Sequence, residues 1–230
     1  MSGTRRWVLS WPLIFLSAAV LIGCSEGAST SADTSPTTQA LREYDLSRLS
    51  EIQGDFPPGF VPRPAEVRAL KPVWRDGVGS AVSSGKPFTV EPPQCKDLLK
   101  PVSGEVNSQT IGIRAESADK RGIAVGADLP VSVTGVLPSS GCDAMTYTVP
   151  DDEQPRSGTA QRLTAPAIDG ATTLALKVTT NGFLDPEYFY TAIVDDRLYV
   201  DVHARLAPEF EAQPVLSGLL VKAVAAVRGA

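Results

Sequence analysis

The stretch from Tyr188 to Arg205 constrains the fold more than any other part of the chain. Aromatic and β-branched residues run almost unbroken on either side of Asp195-Asp196, which reads as two antiparallel strands joined by a tight turn. With a two-residue turn, Ile193 faces Leu198, Thr191 faces Val200 and Phe189 faces Val202 on one side. The other side then pairs Ala192 with Tyr199, Tyr190 with Asp201 and Tyr188 with His203. Asp-Asp is a weaker turn pair than Asn-Gly, which leaves a slip to a longer loop open. A hairpin needs a second apolar layer, and the chain supplies one directly afterwards. In Pro214 to Arg228 the residues Leu216, Leu219, Leu220, Ala223, Val224 and Val227 form one helical stripe. Arg228 suits the negative end of that helix, and Gly229 suits its C-cap. Hairpin plus helix predicts an α+β fold: an antiparallel β-sheet with flanking helices, the C-terminal amphipathic helix packed on the sheet.

Earlier segments fit the same plan. Ile111/Ile113/Ala115, Val131/Val133, Met145/Tyr147/Val149 and Leu174/Leu176/Val178 alternate with polar or small residues, the period of strands with one buried face. Leu41, Tyr44, Leu46, Leu49 and Ile52 are spaced for a helix that stops at Gly54. From Phe56 to Pro64 the prolines forbid a helix or a central strand, so this segment is expected to lie extended at a core edge, pinned by Phe56 and Phe60. Pro92 to Leu99 suits a short helix with proline at its start. The polar run Asp151 to Thr164, with Pro155 and Gly158, reads as a loop.

The N-terminus reads as an address. Arg5 and Arg6 precede the uncharged apolar run Trp7 to Gly23, which is short for a membrane span. It ends in Leu21-Ile22-Gly23-Cys24, which resembles the bacterial lipobox. The expectation is a lipoprotein signal peptide (1–23) and a Cys24 that carries the lipid, with acyl chains such as palmitate holding the mature protein on the cell membrane. An uncleaved anchor would leave the coincidence of basic start, apolar run, small residue and cysteine unexplained. Residues 24–40, rich in Ser, Thr and Ala, cannot bury a core and read as a flexible tether. One extracytoplasmic domain, 41–230, is expected to follow.

Cys95 and Cys142 belong to no CxxC motif. Outside the cytoplasm a disulfide between them is the economical reading, worth roughly 4 kcal/mol in the chain-entropy picture. Zinc would need four ligands, and His203 is the single histidine, so no metal and no cofactor are expected. Lys and Arg number 21 against 26 Asp and Glu, for a net charge of −5, and no basic patch stands out, which argues against nucleic acid. No G-x-S-x-G elbow occurs, Gly77-Val78-Gly79-Ser80 lacks the Lys-Ser/Thr of a phosphate loop, and the acid pairs at 151–153 and 195–196 lack calcium-loop spacing. The chain is therefore not expected to be an enzyme.

The lipobox, the polar tether, the early Leu-rich helix, Pro92-Pro93-Gln94-Cys95 and the terminal hairpin plus helix together resemble mycobacterial cell-envelope lipoproteins. More distantly, the mature part is similar to the extracellular sensor-domain family of the kinase PknH and its lipoprotein relatives. The kinase domain has two disulfides where only one can form here. The resemblance implies an envelope binding or sensing module and carries no functional residue across. The register above places Tyr188, Tyr190 and Tyr199 on one face with Asp201 and His203, an aromatic surface suited to a glycan, a peptide or a lipid headgroup. Burial of that face under a helix, such as the one expected at Leu41 to Gln53, is the competing reading. The expected partners are the membrane, through Cys24, and an envelope lipid, glycan or protein. The alternative function is a carrier that holds an apolar envelope lipid in a cavity between sheet and helices.

Overall fold

The structure is a computed structural model that describes residues 43–63, 65–150, 155–207 and 209–229. The expected signal peptide, Cys24 and the tether lie outside the described residues. All described residues belong to the unit Leu41–Ala230.

The described strands are β1 (Val61–Arg63), β2 (Arg68–Ala69), β3 (Thr89–Glu91), β4 (Val102–Glu116), β5 (Gly122–Val133), β6 (Ala144–Val149), β7 (Arg156–Leu163), β8 (Ala171–Thr180), β9 (Glu187–Val194) and β10 (Leu198–Arg205). They form one antiparallel sheet in the order β1-β4-β5-β10-β9-β8-β7-β6-β3, with β2 paired to the outer part of β4. The described helices are α1 (Val78–Ser83), α2 (Lys96–Leu99), α3 (Ala212–Arg228) and 3-10 helices at Leu46–Asp55, Pro72–Trp74 and Pro93–Cys95. The α+β expectation holds, with α3 packed on the sheet. Its entire predicted stripe is buried, and Gly229 caps it in the left-handed conformation with its N–H bonded to the carbonyls of Ala225 and Ala226.

Three expectations change in detail. Leu46, Leu49 and Ile52 are all buried, and their spacing of three aligns them on a 3-10 helix, where an α-helix was expected. That helix packs against α3, and the N–H of Asp45 donates to Val227 O at 3.1 Å. The polar run expected as a loop contains β7. Its buried side is made of small residues, Gly158 and Ala160, while Thr159 and Gln161 face water. A Cβ on Gly158 would sit 2.3 Å from Thr179 O and 2.7 Å from the Tyr147 ring, so the strand needs glycine there. The proline-rich segment does lie at an edge, as β1.

The third change is the hairpin register. Val194 pairs with Leu198, Ala192 with Val200 and Tyr190 with Val202, one residue away from the two-residue-turn alignment. Asp195 and Asp196 both take positive φ (48° and 54°), Arg197 N–H bonds to Val194 O, and the connection holds three residues. A one-residue slip turns every β10 side chain to the other face relative to β9. The slip places Leu198, Val200, Val202 and Ala204 together beneath α3, with Ile111, Ile113 and Ala115 of β4 and Ile123, Val125 and Ala127 of β5. The apolar stripe of α3 needs such an aliphatic floor, and the two-residue register would have set Tyr199 and Asp201 there instead.

Two layers cover the sheet, each over part of it and on opposite faces. The 3-10 helix and α3 cover one face of β4, β5, β10 and β9. On the other face α1, α2 and Phe88 cover β3, β6, β7 and β8, over Val90, Met145, Tyr147, Leu174, Leu176 and Val178. The Cys95–Cys142 disulfide, buried in this second layer, ties the start of α2 to the chain entering β6. Loss of the bond in a Cys95→Ala/Cys142→Ala variant is expected to lower stability by about 2–5 kcal/mol in urea unfolding, the usual range for native bonds in small secreted domains. An unchanged urea midpoint would show that the second layer holds without it.

Candidate functional site

The second layer stops short of β10, β5 and β4, and the face they leave uncovered is the floor of a groove of about 320 Å³. Three cross-strand rows build this floor. The first runs Tyr199, Asp128, Thr110, Arg68 across β10, β5, β4 and β2. The second runs Thr191, Asp201, Gly126, Gly112 across β9, β10, β5 and β4, and the third Phe189, His203, Ala124, Arg114. Side chains alternate across a strand, so the apolar set of each strand faces α3 and the polar or small set faces the groove.

The segment from Arg68 to Ala81 forms the opposite wall. Leu70 N–H donates to Ser108 O at 2.8 Å and Gly104 N–H to Arg75 O at 2.8 Å, which fastens the segment to β4. Lys100 pairs with Asp76 at 2.9 Å, and Ser80 Oγ accepts from Asp76 N–H. Trp74, 50% exposed, stands at the rim with Arg68 and Lys71.

Two glycines shape the floor. A Cβ on Gly126 would lie 2.6 Å from Asp201 Oδ1, so glycine leaves the space in which that carboxylate rests. Gly112 meets only Val125 O, at 3.9 Å, and the space above it is the groove itself. Tyr199 closes one end. Its buried hydroxyl sits under Gly77, whose positive φ and missing Cβ admit it, and it bonds Thr191 and the Val78 backbone.

The electrostatics are unequal along the floor. Burial pushes Asp128 up to about 7, with Thr110 opposing and the Asp201 charge adding to the rise. Burial likewise pushes Asp201 up to about 6, with His203 opposing. Neither forms an ion pair with Lys or Arg among the described residues. At the far wall His203 stacks on Phe189 (centroids 4.4 Å, planes 7° apart) and its Nε2 lies 3.3 Å from Glu187 Oε1, which also accepts from Arg205 at 2.7 Å. Burial raises Glu187, but these two contacts outweigh it and leave the carboxyl below its usual range.

The register slip divides the aromatic face expected from the sequence. Tyr199, Asp201 and His203 line the groove, whereas Tyr188 and Tyr190 lie on the α3 face, buried with Val202 and Ala204. Those two tyrosines border a broader, more open depression of about 430 Å³ at the start of α3, with Lys177, Phe210 and Pro214. Asp128, Gly112, Gly126, Arg68 and Trp74 were not read from the sequence as site residues. The signal for three of them lies in the alternation of β4 and β5: Gly112, Gly126 and Asp128 oppose Ile111, Ile113, Val125 and Ala127.

No family model matches the chain, and no curated protein matches it. Among solved structures it is similar to an uncharacterized protein of Mycobacterium smegmatis (the Rv0999 ortholog), at 19% identity and a TM-score of 0.58, over 81% of this chain and 98% of that one. That likeness shows a shared fold. The chain is also similar to the extracellular domain of PknH from Mycobacterium tuberculosis, at 12% identity and a TM-score of 0.39, over 79% and 92% of the two chains.

Both floor acids hold their protons in the folded state far above the value near 4 expected when unfolded. Between about pH 4 and 7 the native state therefore binds more protons, and stability falls as pH rises through that window. Asp128→Asn and Asp201→Asn are each expected to raise stability at pH 8 by about 1–2 kcal/mol, since water at the open groove offsets part of the burial cost, and to leave it nearly unchanged at pH 4. Urea unfolding at the two pH values checks this; an equal effect at both would exclude the acids as its cause.

Proposed function

We propose that the chain is a lipid-anchored, extracytoplasmic, non-catalytic binding or sensing module whose small ligand occupies the groove over β4, β5 and β10. The observation that carries this reading is the groove itself: a preformed concavity in the usual size range of ligand sites, with an open glycine floor and two half-buried carboxylates that stability alone does not favour. Structural acids in a small domain are ordinarily solvated or paired. Binding is favoured over catalysis because His203, the single imidazole of the chain, is already stacked on Phe189 and held by Glu187. It forms a wall of the groove, with no Ser or Cys among the described residues that line it.

The location rests on the N-terminal pattern of Arg5, Arg6, the apolar run and Cys24, and on a disulfide, which suits an oxidising compartment. Among the described residues no helix is long and apolar enough to cross a membrane. A carrier of apolar lipid between sheet and helices has less support. Buried side chains fill the layer under most of α3, the depression at its start is open and edged by Lys177 and Glu211, and the groove lies on the opposite face with charged walls.

Gly112→Leu should fill the groove without disturbing the buried face of β4. In amide NMR, a small-molecule extract of the envelope should shift Gly126 and Asp128 in the wild type and not in the variant. Shifts confined to other surfaces, or none, would overturn the groove as the site. Separately, Cys24→Ala should move the protein from the detergent to the aqueous phase on phase separation, and continued detergent partitioning would exclude the lipid anchor.

A further inference from the structure

Resting on the groove as the ligand site, we propose that its ligand is amphoteric, with a protonated amine over Asp128 and Asp201 and an anionic group at the mouth beside Arg68 and Lys71. The groove has two separate poles. Asp128 and Asp201 are diagonal neighbours on adjacent strands, since Asp201 pairs with Gly126 and Tyr199 with Asp128. Among the described residues Thr110 is the hydrogen-bonding partner that opposes the rise of Asp128, and His203 is the charge that opposes the rise of Asp201. An ammonium group above them meets two carboxylates at once and supplies the counter-charge that the described residues do not.

The opposite pole lies at the rim. Arg68 and Lys71 are exposed and form no ion pair among the described residues, whereas Arg114 on β4 is already paired with Glu116 at 3.4 Å. The register sets the distance between the poles. Asp128 pairs with Thr110, and Thr110 with Arg68, so acid and guanidinium stand two strands apart. Two strand spacings are about 10 Å between backbones, which the reach of both side chains shortens. A molecule of amino-acid to dipeptide size, with amine and anion a few bonds apart, spans that gap and fits the 320 Å³ volume. A purely anionic ligand would meet the two floor acids, and a purely cationic one the basic rim. Trp74 at the mouth offers a flat apolar wall for the portion between the charges.

The amine pole works only with its acids ionised. The titratable and charged groups facing them are Tyr199 and His203 from β10, Arg114 from β4, and Arg68 and Lys71 from the overlying segment. Phosphoethanolamine and Ala-Ala themselves titrate between about pH 5 and 8, the phosphate at about 6 and the α-amine at about 8. The floor acids are therefore read from the pH dependence that the wild type shows with a given probe and that Asp128→Asn and Asp201→Asn lose with the same probe.

The test is titration calorimetry on the purified protein with phosphoethanolamine and the dipeptide Ala-Ala as amphoteric probes. Ethylamine, methyl phosphate and glucose serve as single-charge and neutral controls. At least one amphoteric probe should bind at pH 8 about tenfold or more tighter than any control, and weaken by about tenfold at pH 5, the effect of losing one charge-assisted contact. Phosphoethanolamine alone binding points to a phosphate-bearing headgroup, and Ala-Ala alone to a carboxylate. Asp201→Asn and Arg68→Gln should each remove most of the gain. Gly126→Ala should do the same by displacing the Asp201 carboxylate with every charge kept. Failure of both amphoteric probes, or equal binding of methyl phosphate or glucose, would overturn the amphoteric ligand. If the envelope extract still shifts Gly126 and Asp128, the groove survives that outcome as the site; if it does not, both readings fall.

Discussion

The burial of Leu198, Val200, Val202 and Ala204 beneath α3 is the contact on which the rest of the structure depends. Strand β10 is central in the sheet, and its two faces differ sharply: one is wholly aliphatic, the other holds Tyr199, Asp201 and His203. Once the aliphatic side is committed to α3, the polar side must point the opposite way. There it meets the polar and small residues of β4 and β5, which are fixed by the same rule. The groove is thus the reverse side of the core. Burial of four aliphatic side chains, each worth about 1–3 kcal/mol according to its size, outweighs the preference of Asp195-Asp196 for any one turn.

Partial covering explains why a groove exists at all. Two complete layers would leave a sheet buried on both faces, and a single layer would leave one face open to water. Here the α1–α2 layer, fastened by the disulfide, ends at Tyr199 and Val78, and the Arg68–Ala81 segment continues from it as a wall. The space between that wall and β4 stays open because Gly112 and Gly126 contribute no side chains to it.

The two floor acids work against folding above neutral pH, whereas Glu187, close by on β9, is matched by His203 and Arg205. The same sheet therefore holds a compensated carboxylate and two uncompensated ones within a few residues. Local disagreement with the stability rules, set among elements that otherwise agree with them, is the usual mark of a functional or strained site. The contrast distinguishes the groove from the broader depression near Tyr188 and Tyr190.

The sequence by itself determined the α+β class, the strands with strong alternation, the C-terminal helix with its stripe and cap, and the cysteine pair. These rest on local periodicity or on there being one available partner, and both can be read along the chain. It also carried the alternation of Gly112, Gly126 and Asp128, although nothing local marks small residues as a floor. Strand β7 stayed hidden because Gly158 and Ala160 make its buried side and carry no hydrophobic signal. The 3-10 form of Leu46–Asp55 was likewise decided by packing against α3. Only the tertiary structure decided which face of β10 meets which face of β9. That choice hangs on one residue of turn length, on which Asp195-Asp196 is nearly silent and to which the aliphatic floor beneath α3 is acutely sensitive. It separated Tyr188 and Tyr190 from Tyr199 and His203, and brought Asp128 and Asp201 side by side.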